Sequence, residues 1–442
     1  MDFINKKIGI WGFGVVGQSL ARFLVQYTDQ ISVIEKRPLE NQEIEFLKNR
    51  NIAFHSQDKL PNFIHENEYI FVSPGIDSQK YELLKPKIIA ELDLFQYFFK
   101  KPIIAVTGSI GKTTVTSLLA HILEQKGFRV ALGGNIGVGL CDLIEKQHEI
   151  DYAVIEVSSF QLEFCRNFAP DLVLWTNFFP NHLDRHGSIQ NYFNAKLNIL
   201  KYQLPHQKAL IPINMYAQLP DFVKSSISCL TDNRNSLEST VPVFWLKDNK
   251  LYEKQNNHTK CIAHFENMPD IYPYNWLCIN AALSELGISL PTNYIATQSF
   301  AHRMEKVSII NNTIFYNDSK STLPEATIAA IKRFDQKKIL LFLGGISKGI
   351  DRTYMFAQLQ NKASYILCFG KEAEYLYTQC KAFDIPGSKH QTLEEAFQAS
   401  IKIARTYDIV LFSPSGASYD LFSNYEERGN IFKKLVFNLQ KN

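Results

Sequence analysis

No C-x-x-C pair occurs among the seven cysteines, Cys141, Cys165, Cys229, Cys261, Cys278, Cys368 and Cys380. Their odd number and scattered spacing argue against a disulfide framework and a structural zinc site, and fit a reducing cytosol. A long apolar run is also missing. No stretch approaches the roughly 20 apolar residues of a membrane span, and the charged start, Met1 to Lys7, has no apolar segment behind it, so neither an anchor nor a leader is expected. Charge of one sign is not in excess: 47 Lys and Arg against 44 Asp and Glu leave +3, too little and too dispersed to argue for a nucleic-acid partner. Internal repeats and low-complexity tracts are absent as well. What is present is an ordinary globular composition, 45% apolar and 21% charged over 442 residues. That length suits two to four domains, with three the central value. A soluble, cytoplasmic, monomeric protein is expected.

Three blocks follow along the chain. Residues 1–96 alternate short β-branched runs, Ile8 to Ile10, Ile31 to Ile34 and Tyr69 to Val72, with helical segments, the pattern of a small parallel α/β unit. A second block, 97–300, opens after Lys101-Pro102 with Ile103 to Val106 as a buried strand. Its portion from 205 to 275 mixes Pro, Asn and Ser with short apolar alternations and offers no chemistry. A third α/β series, 301–442, has strands expected at Ile339 to Leu343, Tyr365 to Phe369 and Ile409 to Phe412.

Between the buried strand and an apolar-striped helix (Val115, Leu118, Leu119, Ile122, Leu123) lies Thr107-Gly108-Ser109-Ile110-Gly111-Lys112-Thr113-Thr114. Strand, glycine loop and helix start aim backbone N–H groups and the positive dipole end at a phosphate, with Lys112 reaching the outer phosphates and Thr113 able to hold magnesium. Val106 stands where the G-x-x-x-x-G-K-[ST] pattern has its first glycine. A tight strand-to-helix turn alone would not call for the lysine–threonine pair. Glu156 is the one acid in the apolar run Tyr152 to Val157, and a buried charge needs a partner, either a metal ion or a structural cation. His182 follows the next strand, Asp171 to Thr176, where metal or phosphate contact competes with an ordinary satisfied histidine.

Gly12-Phe13-Gly14-Val15-Val16-Gly17 follows the first strand, and Glu35 ends the second, 18 residues after Gly17. Alone this reads as a dinucleotide fingerprint. Lys36-Arg37 beside the acid, together with a separate nucleotide loop at Lys112, points instead to a diphosphate-bearing nucleotide ligand. A glycine turn for close helix packing remains open.

Taken together, these motifs resemble the Mur ligase family, the ATP-dependent amide-forming enzymes of peptidoglycan stem-peptide synthesis, and within it the D-glutamate-adding branch. The resemblance runs from Gly12 to about Lys434, thin only between 205 and 275. It rests on Gly12 to Gly17 with Lys36-Arg37, Ser73-Pro74-Gly75-Ile76, Gly108 to Thr114, Gly133 to Gly137, Glu156 to Leu162, His182 with Asp184-Arg185, Ala195-Lys196-Leu197, His302 to Glu305, Asn317 to Lys320 and Leu343 to Gly345. Lys348-Gly349, Ser413-Pro414, Ala417-Ser418, Asp420, Phe422 and Asn424 to Gly429 imply D-glutamate; no Asp-Asn-Pro-Arg motif of the diaminopimelate-adding relative occurs. Departures are Ile110, Ser415-Gly416 and Trp276-Leu277, the last in place of a His-Asn dipeptide before Asn280.

The family implies three α/β domains: a Rossmann-like N-terminal domain, a central P-loop ATPase-type domain and a C-terminal Rossmann-like domain, the third closing on ATP binding. It implies ATP, UDP-N-acetylmuramoyl-L-alanine and D-glutamate as substrates, two Mg²⁺ ions and a CO₂-derived carbamate on Lys196. Lys112, His182, Lys196 and Glu156 would be catalytic. Thr113 and Glu156 would hold one ion, His182 and carbamylated Lys196 the other. ATP would meet Gly108, Ser109, Gly111, Lys112, Thr113, Thr114, Asn280, Arg303, Asp318 and Lys320. The UDP-substrate would meet Gly14, Val15, Val16, Lys36, Arg37, Ser73, Gly75, Asn135, Ser158 and Gln161. D-Glutamate would meet Thr322, Lys348, Ser418, Tyr419 and Tyr425. Judged from the sequence around it, Lys196 is a water-facing helix lysine. Another Mur-family ligase, a folylpolyglutamate synthase, an NAD-dependent dehydrogenase and a non-catalytic nucleotide-gated module are the competing readings.

Overall fold

The computed structural model describes residues 3–77, 86–232, 239–256, 258–269, 271–294, 301–334 and 336–441. Three sheets follow one another along the chain. The first consists of β1 (Ile8–Trp11), β2 (Ile31–Glu35), β3 (Ala53–Ser56) and β4 (Tyr69–Val72), ordered β3-β2-β1-β4. All its pairings are parallel, with Ile8 of β1 opposite both Ile31 and Tyr69. β3 escaped sequence reading because Ala53 to Ser56 lies mostly exposed and lacks a buried apolar run. The chain builds outward from β1 to β3, then crosses to β4 on the other side, so the sheet has its switch point where Gly12 to Gly17 lies.

The middle sheet has nine strands: β5 (Ile103–Thr107), β6 (Val130–Gly134), β7 (Tyr152–Glu156), β8 (Leu172–Trp175), β9 (Lys208–Pro212), β10 (Ser226–Leu230), β11 (Val243–Lys247), β12 (Lys250–Gln255) and β13 (His258–His264). Their order is β13-β12-β11-β10-β9-β8-β5-β7-β6. β5 is buried throughout and lies between β7 and β8, as its unbroken apolar sequence requires of a strand covered on both faces. The stretch that offered no chemistry extends this sheet to its edge, where β11, β12 and β13 pair antiparallel. Cys261 of β13 is exposed; the other six cysteines are buried.

The third sheet contains β14 (Glu305–Ile310), β15 (Thr313–Asn317), β16 (Ile339–Leu343), β17 (Ala363–Phe369), β18 (Gly387–His390) and β19 (Ile409–Phe412), ordered β14-β15-β19-β16-β17-β18. Only β14 is antiparallel to its neighbour.

Two compact units are formed. One takes in Met1–Phe178, Gln190–Glu266 and Tyr274–Thr292, the other Phe179–Ile189, Asn267–Pro273 and Asn293–Asn442. Within the first, one apolar cluster runs from Phe3, Ile8 and Phe71 through Leu92, Leu94 and Phe95 to Ala105, Ile155 and Ile211, so the first and middle sheets share a core. The helix Glu91–Phe98 supplies the joining residues and is strapped by its own acids. Glu91 accepts the N–H of Leu140, and Asp93 accepts those of Arg166 and Asn167. Among the described residues no helix is long and apolar enough to cross a membrane.

Candidate active site

The phosphate loop spans the end of β5 and the start of the helix Lys112–Gln125. Gly111 has φ +82°, and a Cβ there would stand 2.6 Å from Asn275 Oδ1, so the position excludes side chains both by conformation and by space. The loop is held from the neighbouring strand end. Asn177 Oδ1 accepts the N–H groups of Ser109 (3.1 Å) and Ile110 (2.9 Å), while Asn177 Nδ2 and Thr176 Oγ1 donate to Ile110 O. Lys112 Nζ donates to Gly108 O (2.9 Å) and Ser109 O (3.3 Å). Thr114 is buried in the first turn of the helix.

Glu156, at the end of β7, is only 2% exposed. Thr113 Oγ1 donates to its Oε2 at 2.6 Å and Asn135 Nδ2 to its Oε1 at 2.8 Å. The buried charge thus has hydrogen-bond donors from two sides, and hydroxyl, carboxylate and amide oxygens of this kind are hard donors suited to magnesium. Among the described residues no group of three or more His, Cys, Asp and Glu forms a ready-made metal site.

Lys196 overturns the water-facing expectation. The helix Ile189–Lys201 turns Tyr192, Lys196 and Leu200 inward, leaving Lys196 1% exposed. Its Nζ donates to Thr107 Oγ1 (3.1 Å) and Gly108 O (3.0 Å) and stands 5.1 Å from the Tyr192 ring centroid. Burial first, then the positive charge of Lys112, holds this ammonium well below the ordinary lysine range, with Glu156 opposing. Tyr192 also meets Ser109, their hydroxyls 3.2 Å apart.

Ser158 caps the short helix Ser159–Leu162 in a reciprocal box with Gln161. Gln161 Nε2 is buried and meets no hydrogen-bond partner among the described residues. Asn280 is fully buried and donates to Trp276 O (2.8 Å), whereas Asn275, earlier in the same helix, lies against the phosphate loop. His182 has a left-handed backbone (φ 55°) and begins the helix Leu183–His186, its N–H bonded to Asn181 Oδ1. It belongs to the second compact unit, whereas Thr113, Glu156 and Lys196 belong to the first.

At the first sheet, Gly14, Val15, Lys36 and Gly75 are exposed, and Val16 is half-buried, while Ser73 Oγ donates to Gly12 O. Glu35 accepts the N–H groups of Phe13, Lys36 and Arg37. Three main-chain donors leave this carboxylate little capacity for a ribose hydroxyl, which weakens the NAD reading. The Arg37 guanidinium is paired with Glu43 and Phe13 O, and this pairing holds the Glu43 carboxyl below its usual range.

In the third sheet, Asp318 follows β15 and accepts from Met304 N–H (3.2 Å), Ser413 Oγ (2.8 Å) and Ser321 Oγ. Burial pushes its carboxyl up to about 6, against those bonds and the charge of Arg303. Lys320 Nζ lies 4.8 Å from the Tyr425 ring centroid. Lys348, at φ 53°, has Nζ 5.6 Å from the Tyr419 ring centroid; burial lowers its ammonium, with Asp184 opposing. Ser418 is buried and Thr322 half-buried. Sequence reasoning missed Asn177, Tyr192, Asn275 and the buried Arg352; the equally buried Arg428 lies in the Asn424 to Gly429 motif. The available signal was an Asn closing an apolar strand for Asn177; the other missed residues carried none.

A glycine loop feeding a helix, a hydroxyl–carboxylate pair beside it and a buried, neutralisable lysine define an α/β protein of the phosphate-loop class. Sequence profiles then match in chain order: a Mur ligase MurD-like N-terminal domain over residues 6–89, a Mur ligase middle domain over 106–264, and a Mur ligase glutamate ligase domain over 302–416. The chain is 31% identical to the UDP-N-acetylmuramoylalanine–D-glutamate ligase of Thermoanaerobacter sp. strain X514, covering 100% of both chains. It is also 31% identical to that of Pelotomaculum thermopropionicum, covering 100% of this chain and 99% of the relative. The chain belongs to the Mur ligase family. Solved structures share the fold: a pseudomurein peptide ligase type C from Methanothermus fervidus (TM-score 0.60, 18% identity, 98% and 100% covered) and MurF ligase from Thermotoga maritima in complex with ADP (TM-score 0.58, 16% identity, 98% and 96% covered).

Proposed function

We propose that this chain is a cytoplasmic ligase that uses ATP to join D-glutamate to UDP-N-acetylmuramoyl-L-alanine. The observation that carries the reading is the Thr113–Glu156–Asn135 hydrogen-bonded group beside the phosphate loop, in a chain collinear with relatives named for that reaction. A carboxylate is a poor electrophile, so the alanyl carboxyl takes the γ-phosphoryl group of ATP to give an acyl phosphate and ADP. The D-glutamate amine then attacks the acyl carbon, and phosphate leaves. Triphosphate, carboxylate and glutamate are all anions, and catalysis is chiefly charge neutralisation and positioning.

Lys112 and the loop N–H groups orient the phosphates. Thr113 and Glu156 would hold one Mg²⁺, and Lys196, as a carbamate, would offer an oxygen ligand to a second; bound there, the ions would neutralise phosphate charge. His182 is assigned to the phosphoryl end of the reaction. Gln161, whose Nε2 meets no partner among the described residues, and Ser158 face the muramoyl substrate, and Gly14 to Val16 with Lys36 and Arg37 its uridine diphosphate. Asn275 joins Asn280 as an adenine-side candidate. Arg303, Asp318 and Lys320 serve the nucleotide from the third domain; Thr322, Lys348, Ser418, Tyr419 and Tyr425 receive glutamate.

The test is phosphate release from ATP with UDP-N-acetylmuramoyl-L-alanine and a panel of amino acids. Release that requires both the UDP-substrate and D-glutamate is expected. Turnover with a folate and L-glutamate, or none with any pair, would overturn the reading.

A further inference from the structure

Arg352 is fully buried, an unusual position for an arginine, and its side chain is spent on two loops. One guanidinium nitrogen donates to Gly344 O (3.2 Å) and Ser415 O (3.3 Å), the other to Gly345 O (3.3 Å) and the Glu372 carboxylate. The second oxygen of Glu372 accepts both Ser347 N–H (2.9 Å) and Ser347 Oγ (3.1 Å). The two loops are also zipped together directly: Ile346 and Ala417 exchange backbone bonds of 2.8 and 2.9 Å, and Gly344 N–H donates to Pro414 O. A Cβ on Gly416 would stand 2.9 Å from the Arg352 guanidinium, so the approach is close as well as bonded.

Between these fixed points lies Lys348, whose backbone follows Ser347 directly, with Ser418 and Tyr419 just beyond Ala417 on the facing loop. We infer that the Arg352–Glu372 pair is a positioning device for the amino-acid substrate, setting the Lys348 loop against the Ser418 loop so that the ammonium meets the side-chain carboxylate of D-glutamate. This rests on the D-glutamate reading above and adds residues that touch no reacting atom. A buried ion pair is a poor source of stability, because well-packed apolar side chains of similar volume often do as well. What apolar side chains cannot do is hold three carbonyls and a serine at set distances, and that is what this pair does.

The experiment measures KM for D-glutamate, ATP and UDP-N-acetylmuramoyl-L-alanine, kcat and melting temperature for the full chain and four variants. Arg352→Lys and Glu372→Gln are expected to raise KM for D-glutamate about tenfold or more, with the other two KM values within about twofold and kcat changed less. The double variant Arg352→Met/Glu372→Met leaves no bare buried charge, so it is expected to fold and still to show the raised D-glutamate KM. Ser347→Ala, which leaves the ion pair intact, is expected to raise it about threefold. A purely structural role would lower melting temperature and active fraction while KM for D-glutamate stayed put. That outcome, in the double variant or in Ser347→Ala, overturns the inference. Failure of the wild-type chain to show D-glutamate-dependent phosphate release overturns the substrate reading first, and this inference with it.

Discussion

Lys112 donates to two main-chain oxygens, and Lys196 to a threonine hydroxyl and a main-chain oxygen, yet the two lysines face opposite tests. Lys112 is half-buried at the start of its helix, so Lys112→Ala is expected to cut turnover about 100-fold or more, the scale of losing a transition-state charge partner, while circular dichroism and melting temperature stay near wild type. A folded variant with near-native turnover would show the loop is misassigned. Lys196 must be a neutral amine to add CO₂, and its burial beside Lys112 favours that form. Lys196→Arg is expected to lose most activity while still binding UDP, and bicarbonate is expected to restore the rate of CO₂-stripped wild type. Full activity of the arginine variant would refute the carbamate. Lys112 was legible because glycine, lysine and threonine sit together in the chain. Tyr192 and Asn275 were not, because each reaches the loop from a separate helix and nothing local marks it, and Asn177 was marked only by its place after an apolar strand. Arg352 was hidden for another reason: arginine is ordinarily a surface residue, and only the fold shows this one enclosed.

At the scale of elements, strands were the most legible features, since fully buried parallel strands are continuous apolar runs. β16 and β19 coincide with the expected bounds. Strands β3, β12 and β13 were hidden by polar, half-exposed sequences that obey no single period. The helix Glu91–Phe98 carries a pH signal that follows from its place in the shared core. Glu91 is buried, its Oε2 meets no hydrogen-bond partner among the described residues, and its pKa is raised to about 7 by burial, with Asp142 adding and the Leu140 N–H opposing. The nearby Arg22 is engaged with Asp142 rather than with Glu91. A carboxyl whose folded value is raised keeps its proton longer in the native state, so stability falls as pH rises from about 4.5 to about 7, by roughly 3 kcal/mol at most. Glu91→Gln is expected to remove that slope. Denaturant midpoints at pH 5 and 7.5 should differ less in the variant than in wild type, and equal differences would show that Glu91 titrates normally.

At the scale of the whole molecule, one core spans the first and middle sheets, and the third sheet has its own clusters. Calorimetry is therefore expected to show two transitions rather than three. UDP, without ATP or magnesium, is expected to raise only the one that includes the first sheet, by roughly 5 °C at a hundred times its dissociation constant, and NADH neither. A UDP shift in both transitions, or an equal shift with NADH, would count against the uridine site or the two-unit division. Because six thiols are buried and Cys261 alone is exposed at the sheet margin, the unaltered chain offers one attachment point for a maleimide dye. Labelling should stop at one dye per chain, and energy transfer from a fluorescent nucleotide to that dye would then serve as a molecular ruler, with no cysteine added or removed.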